Sequence, residues 1–128
     1  MTIDPLSITS KIISSYDEVK QALEHYRKEQ AYCESEYNDI AHALELTNFN
    51  ASEGYKLAKQ MQESRLRRRQ AKNMIEQLET LMKTFKKHKS LCNELKDAHA
   101  QIQLTIGSQK KRSYRPRVRE DLFERVAR

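Results

Sequence analysis

Apolar side chains recur along the first third of the chain in alternating steps of four and three. Ile12, Tyr16, Val19, Leu23, Tyr26, Gln30, Cys33, Tyr37, Ile40 and Leu44 form the stripe, and only Gln30 is polar. Such spacing keeps every member on one narrow face of a helix, the a and d positions of a heptad. The flanking positions are charged, with Asp17, Glu18, Glu24, Glu34 and Asp39 among them. A stripe this narrow predicts one long helix that packs on one or two others, not a helix set into a broad core. Pro5 and the Ser/Thr residues at 7–10 mark its start. Its end falls in Leu46–Gly54, where Asn50 followed three residues later by Glu53 reads as a capping box opening a second helix. Phe49 precedes that cap, but Gly54 offers no side chain for a hydrophobic staple, so Phe49 is expected to cover the end of the hairpin. A connection this short makes the two helices antiparallel neighbours.

The second stripe is Leu57, Met61, Ala71, Ile75, Leu78, Met82 and Phe85. It fails between Gln62 and Gln70, where only Leu66 is apolar. A second register follows through Phe85, His88, Cys92, Leu95, His99, Ile102 and Ile106. The sequence allows one very long helix here, or a break near Lys86–Ser90. Gly107 is the expected terminating residue. If Leu44 lies beside Ala51 or Ser52, Gln30 falls opposite Leu66, and both helices lose their apolar stripe at one level. The stripe Leu81–Ile106 extends roughly 20 residues (about 30 Å at 1.5 Å per residue) past what the first helix can cover. It is expected to be bare until a third helix, a second copy or a target covers it.

Composition sharpens this picture. The chain has 128 residues with two Gly and two Pro, too few for a turn-rich β or α/β fold. Its 38% of apolar residues lies below the ~45–50% usual for globular domains. The predicted fold class is therefore all-α: an antiparallel coiled-coil helical hairpin with a third helical segment or dimer partner over residues 1–107. A basic tail over 108–128 follows, with a short amphipathic helix using Leu122, Phe123 and Val126. No stretch reaches the ~18–20 apolar residues of a membrane span. The N-terminus lacks the features of a signal peptide, and two cysteines are too few for a disulfide framework. The expectation is a cytoplasmic protein with reduced thiols.

Charge is unevenly placed. Residues 1–50 carry four Lys/Arg against nine Asp/Glu, and residues 51–128 carry 20 against nine. In the hairpin, Glu24, Glu29, Glu34 and Glu36 would flank Arg65, Arg67, Arg68 and Arg69. Two readings follow: an interhelical ion-pair layer that fixes register, or a basic collar for phosphates. The first suits most of these arginines. Consecutive residues lie 100° apart on a helix, so Arg67, Arg68 and Arg69 cannot all face the first helix, and at least one is expected to be free. Lys72 continues this set. The tail groups Lys110, Lys111, Arg112, Arg115 and Arg117 around Tyr114 and Pro116. It reads equally as a nucleic-acid arm, with Tyr114 stacking on bases, or as a solvated extension.

No catalytic signature is present: no phosphate-binding Gly-rich loop, CxxC pair, HExxH or nucleophile motif. His88 and Cys92 stand at i, i+4. His99 lies about 10 Å further along the helix, and no fourth ligand is assigned, so they read as semi-polar seam residues. No metal, cofactor, enzyme activity, membrane contact or small-molecule substrate is expected. Four of the six tyrosines lie in the first helix, and three of those sit on its seam.

The segments 43–81 and 112–123 carry Glu-Gly-Tyr at 53–55, the Arg-rich run at 65–69 and Tyr-x-Pro-Arg at 114–117. On these the chain resembles small helical proteins of phages and other mobile elements of Gram-positive bacteria. The resemblance implies a phage-accessory setting, in which small proteins bind nucleic-acid machinery or host defence complexes. The leading expectation is a binding protein for DNA, RNA or a host nucleoprotein complex, acting through Arg65, Arg67, Arg68, Arg69, Lys72, Lys110, Lys111, Arg112, Tyr114, Arg115 and Arg117. The alternative is a protein–protein module, possible also as a homodimer, that inhibits a host complex. It would dock through the seam of Leu81, Phe85, Leu95, Ile102 and Ile106.

Overall fold

The computed structural model describes residues 2–123. Three α-helices follow one another: α1 Pro5–Leu46, α2 Ala51–Lys87 and α3 Lys89–Lys111, with a 3₁₀ turn at Glu120–Phe123. All regular structure among the described residues is helical. Pro5 stands at the first position of α1, where its missing N–H is not needed, and Asp4 caps the helix by accepting from the Leu6 N–H at 3.2 Å. The nearby Ser and Thr residues lie inside the helix. At α2, Asn50 accepts from the Glu53 N–H at 2.8 Å, and its amide reaches the Glu53 carboxylate at 3.3 Å. The Phe49 ring lies over Gly54, 3.1 Å from where a Cβ would stand, and so covers the start of α2 in the space a side chain would fill.

Contacts descend along α2 and α3 as they ascend along α1. Cys33 meets Ser64, Arg27 meets Glu79, Tyr16 meets Phe85 and Thr9 meets His99. The central seam is built on small residues. Cys33 is 0% exposed and Ser64 1%, and the Ser64 hydroxyl donates to the Cys33 carbonyl at 3.0 Å. A hydroxyl here satisfies its own burial without a side-chain partner on the other helix, a net contribution of about 1 kcal/mol. Above and below it sit Leu23, Ala71, Ile75 and Ile40, all buried.

Several expectations are corrected by this packing. The α2 stripe does not fail at 62–70, because Ser64 and Arg68 carry it: Leu57, Met61, Ser64, Arg68, Ala71, Ile75, Leu78, Met82 and Phe85 are all buried or half-buried. Leu66 is off the seam and 53% exposed, so it does not face Gln30. In α1 the seam runs Leu6, Thr9, Ile13, Tyr16, Val19, Leu23, and Ile13 replaces Ile12. Thr9 sets that phase through its hydrogen bond to His99.

In α1 the stripe Thr9, Ile13, Tyr16, Val19 and Leu23 steps by 4, 3, 3, 4, and two successive steps of three overwind a seam locally. The Tyr16 ring packs on Phe85 there, at 4.2 Å between centroids. On the facing side the half-buried positions run Leu78, Met82, Phe85 and then Cys92, with His88 exposed between the last two. The His88 N–H reaches the carbonyls of both Phe85 and Thr84 at 3.2 Å, and the Leu91 N–H bonds back to His88 O at 3.0 Å. The bonds to Phe85 and His88 run i to i−3, which is 3₁₀ geometry. His88 leaves helical dihedrals at φ −114°, ψ 35°, and divides α2 from α3.

The seam expected to be bare is occupied. Because α1 begins at Pro5, its first turns run beside α3, and Phe85, Leu95, Ile102 and Ile106 are half-buried. Leu81 lies off the seam and is exposed. Nor does Gly107 end the helix. Its φ is not positive, and Ser108 to Lys111 continue the turn until Arg112, well short of the conformational restraint imposed by Pro116. α3 therefore ends at Lys111, four residues past Gly107. Of the expected amphipathic helix over 120–128, the 3₁₀ turn covers Leu122 and Phe123, and Val126 lies outside the described residues.

Three outcomes follow. Leu23→Ala, at a residue 3% exposed, should cost about 2–5 kcal/mol in urea unfolding. Leu66→Ala should change stability by less than about 0.5 kcal/mol. Because α3 contains no buried residue, its amides should exchange with deuterium faster than those of α2 around Ala71 and Ile75.

Candidate nucleic-acid interface

The arginines of α2 divide by the direction in which the helix aims them. Arg67 places Nε at 3.1 Å and a terminal nitrogen at 2.6 Å from the same Glu29 oxygen, with Glu36 at 3.9 Å. The Glu29 carboxylate raises the Arg67 pKa further above its ordinary value, first by hydrogen bonding and then by charge. Arg68, half-buried on the seam, donates to Glu34 at 3.0 Å. Arg65 lies over the Tyr37 ring, 4.0 Å from its centroid, a contact worth about 0.5–1 kcal/mol where exposed. Arg67 also reaches the Tyr32 ring at 5.8 Å. Glu24, grouped with these acids in the sequence, pairs with no arginine among the described residues.

Arg69 is the arginine that turns away. Among the described residues neither it nor Lys72 is in an ion pair. Both line a shallow depression of about 580 Å³ along α2, with Arg65, Arg68, Asn73 and Glu76. A second depression of about 420 Å³ shares Glu76 and continues through Arg27, Glu79, Lys83 and Lys86. A third, about 460 Å³, shares Arg27 and Lys86 and reaches Lys89 and Lys96 across the break. The three form one continuous face, about 46 Å of helix from residue 65 to residue 96. Its cations on α2 and α3 that are in neither an ion pair nor a ring contact among the described residues are Arg69, Lys72, Lys83, Lys86, Lys89 and Lys96, and Lys20 joins them from α1. Of its acids, Glu79 is tied to Arg27 at 3.3 Å, while Asp17, Glu24 and Glu76 are in no ion pair among the described residues.

The sequence set omitted Lys83, Lys86, Lys89 and Lys96. The signal that finds them is the heptad continuation 65, 69, 72, 76, 79, 83, 86, which lies beside the seam rather than on it. The remaining members of the set are placed elsewhere. Lys110 and Lys111 occupy the last turn of α3, where cations suit the helix C-terminus, and Arg112 is the C-cap. The tail cations lie some 60 Å along the helix path from Arg69, so the structure does not bring the two groups together. Tyr114, exposed, packs on Phe123 with centroids 5.4 Å apart, which occupies one face of the ring expected to stack on bases. Arg115 and Arg117 are exposed. Arg119 forks onto Asp121 at 2.9 and 3.0 Å, which holds that carboxyl below the ordinary carboxylate range.

His88, Cys92 and His99 are separated by function as well as distance: His88 makes the helix break, Cys92 lines the third depression and His99 bonds Thr9. Among the described residues no three His, Cys, Asp or Glu side chains converge on a metal-sized site, and no helix is long and apolar enough to cross a membrane. A scan against protein-family models finds no match, and searches of curated proteins and of solved structures find none either.

The two free thiols differ sharply. Burial pushes the Cys33 thiol up from its ordinary value, with Glu29 and Glu36 adding to the effect and Arg67 opposing it. Cys92 is half-buried in the groove. A maleimide should therefore modify one thiol per native chain, at Cys92, and a second only in denaturant. Mass spectrometry of the labelled peptides reads this directly.

Proposed function

We propose that the chain is a non-enzymatic binding protein that presents a basic helical face to nucleic acid or to a nucleoprotein complex. It acts in the cytoplasm, in the phage or mobile-element setting that its central block resembles. Its working form is an antiparallel coiled-coil hairpin with a basic tail as a second, separate contact. The observation that carries this reading is the line of Arg69, Lys72, Lys83, Lys86, Lys89 and Lys96, none ion-paired among the described residues. Six cations on one face favour a polyanion, since each phosphate contact releases condensed counterions. The arginines tied to Glu29 and Glu34 support the face rather than contact the ligand. Lys110, Lys111, Arg112, Arg115 and Arg117 extend the field beyond the helical face.

A second reading is a protein–protein module that inhibits a host complex. It draws support from α3, where the seam is only half covered by α1 and no residue is buried.

Fluorescence anisotropy with labelled DNA and RNA oligonucleotides separates the two. Affinity should fall by about 10³-fold or more between about 50 and 200 mM salt if six or more phosphates are contacted. Arg69→Ala with Lys72→Ala should lower the salt slope by about two and leave thermal unfolding unchanged. A flat salt dependence, or no binding at low salt, sinks the nucleic-acid reading. Capture of host partners with and without nuclease then tells a nucleic acid from a protein.

A further inference from the structure

The basic face changes character at the helix break. From Arg65 to Glu76 its lining is polar, but the groove between α1 and the α2–α3 junction is lined by Tyr16, Met82, Phe85 and Cys92 over the buried Leu23. A phosphate backbone has no use for such a floor. Cations line both rims: Lys20 and Arg27 on α1, Lys86, Lys89 and Lys96 on the other wall. Against these five stand Asp17 and Glu24. Arg27 is held by Glu79, while the four lysines are in no ion pair among the described residues. Along α1 the groove runs from Tyr16 to Arg27, about 16 Å or three helical turns. Tyr16, Lys20, Leu23 and Arg27 are spaced 4, 3, 4, so this wall presents a ridge and a rim as a helix does to a third helix laid alongside.

We propose that this groove binds an acidic amphipathic helix of a partner protein, about three turns long. Its apolar stripe lies on the half-buried Tyr16, Met82, Phe85 and Cys92, and its flanking Glu or Asp residues meet the lysines on both rims. The lysine excess selects the sign of the partner, and the aromatic pair supplies the area that desolvates the centre of the contact. This inference does not rest on the nucleic-acid reading, which concerns the whole face and tolerates an empty groove.

Cys92 reports on occupancy, because Cys33 is fully buried. The probe is a peptide of about 18 residues, long enough for measurable helicity, with Leu at steps of three and four, Ala on its outer face and Glu on both flanks. Its twin carries Lys for every Glu. The Glu peptide should slow N-ethylmaleimide modification of Cys92 about tenfold at about ten times its Kd, and the Lys twin should not. Lys89→Glu with Lys96→Glu, at two exposed positions, should abolish the protection while thermal unfolding stays unchanged. Equal protection by both peptides, or by neither, overturns the proposal. So does protection by a single-stranded oligonucleotide without protection by the Glu peptide, which gives the groove to nucleic acid. Protection that rises with protein concentration alone gives it to a second copy. Failure of the nucleic-acid reading shows separately, as a flat salt dependence in the anisotropy titration.

Discussion

Two long helices share a seam only while each returns its side chains to the other at the same rate. That constraint is most visible at Tyr16, the midpoint of a 4, 3, 3, 4 run in α1, whose ring meets Phe85 at 4.2 Å. Two successive steps of three rotate the α1 stripe relative to an even heptad pattern, so the facing side has to adjust to stay in contact. It is interrupted at this level: just past Phe85 the chain leaves helical dihedrals at His88, with 3₁₀ bonds on either side, and resumes as α3. α1 runs through unbroken from Pro5 to Leu46. The groove lies at this junction, because the irregular turn and the two aromatic rings occupy the same level.

The second organising fact is how arginine and lysine divide the positive charge. Arginine's planar fork matches carboxylates and aromatic faces, whereas lysine is a flexible, strongly hydrated point charge. Arg27, Arg65, Arg67 and Arg68 are each engaged by an acid or a ring of α1 or α2. The lysines of α2 and α3 are in no ion pair among the described residues. Exposed pairs of this kind add little to stability, with a median of about 0–1 kcal/mol. Their larger consequence is subtraction. Glu29 and Glu34 of α1 take Arg67 and Arg68, the Tyr37 ring takes Arg65, and Arg69 with the lysine row is left as the charge a partner meets.

Much of the fold was legible in the chain, and what was not has a definite cause. The seam could be read wherever apolar residues carry it, from Val19 to Leu44 and from Ala71 to Phe85. It could not be read at Ser64 and Arg68, because a small hydroxyl and a half-buried guanidinium look polar in a one-letter pattern. Only the approach of the Cys33 carbonyl makes a serine suitable there. Ile12 and Ile13 are adjacent and chemically identical, so the choice between them rests on Thr9 and His99, ninety residues apart. The break near His88 lay within the stretch the sequence allowed, but the cover over α3 did not show in the pattern, because the first turns of α1 meet it through Thr9 and His99, which look polar. At the site, the arginine run was visible from composition, but which arginine is free depends on where Glu29 and Glu34 stand.

A thin seam also explains why this chain has so much surface to offer. A two-helix contact buries one stripe per helix and leaves the flanking positions half in water. In a broader bundle those positions would be core and would have to be apolar. Here they need only be compatible with both the seam and solvent, and long side chains satisfy that by laying their methylenes on the seam and their charges outward. Lys86, Lys89 and Lys96, all exposed, line the depression beside Phe85 and Cys92. The cationic rim is thus a product of the same geometry that limits the core. Any helix added to the groove would turn flanking positions into core ones, so it must bring apolar side chains for the floor and carboxylates for the rims. That dual demand restricts the occupant far more than net charge alone.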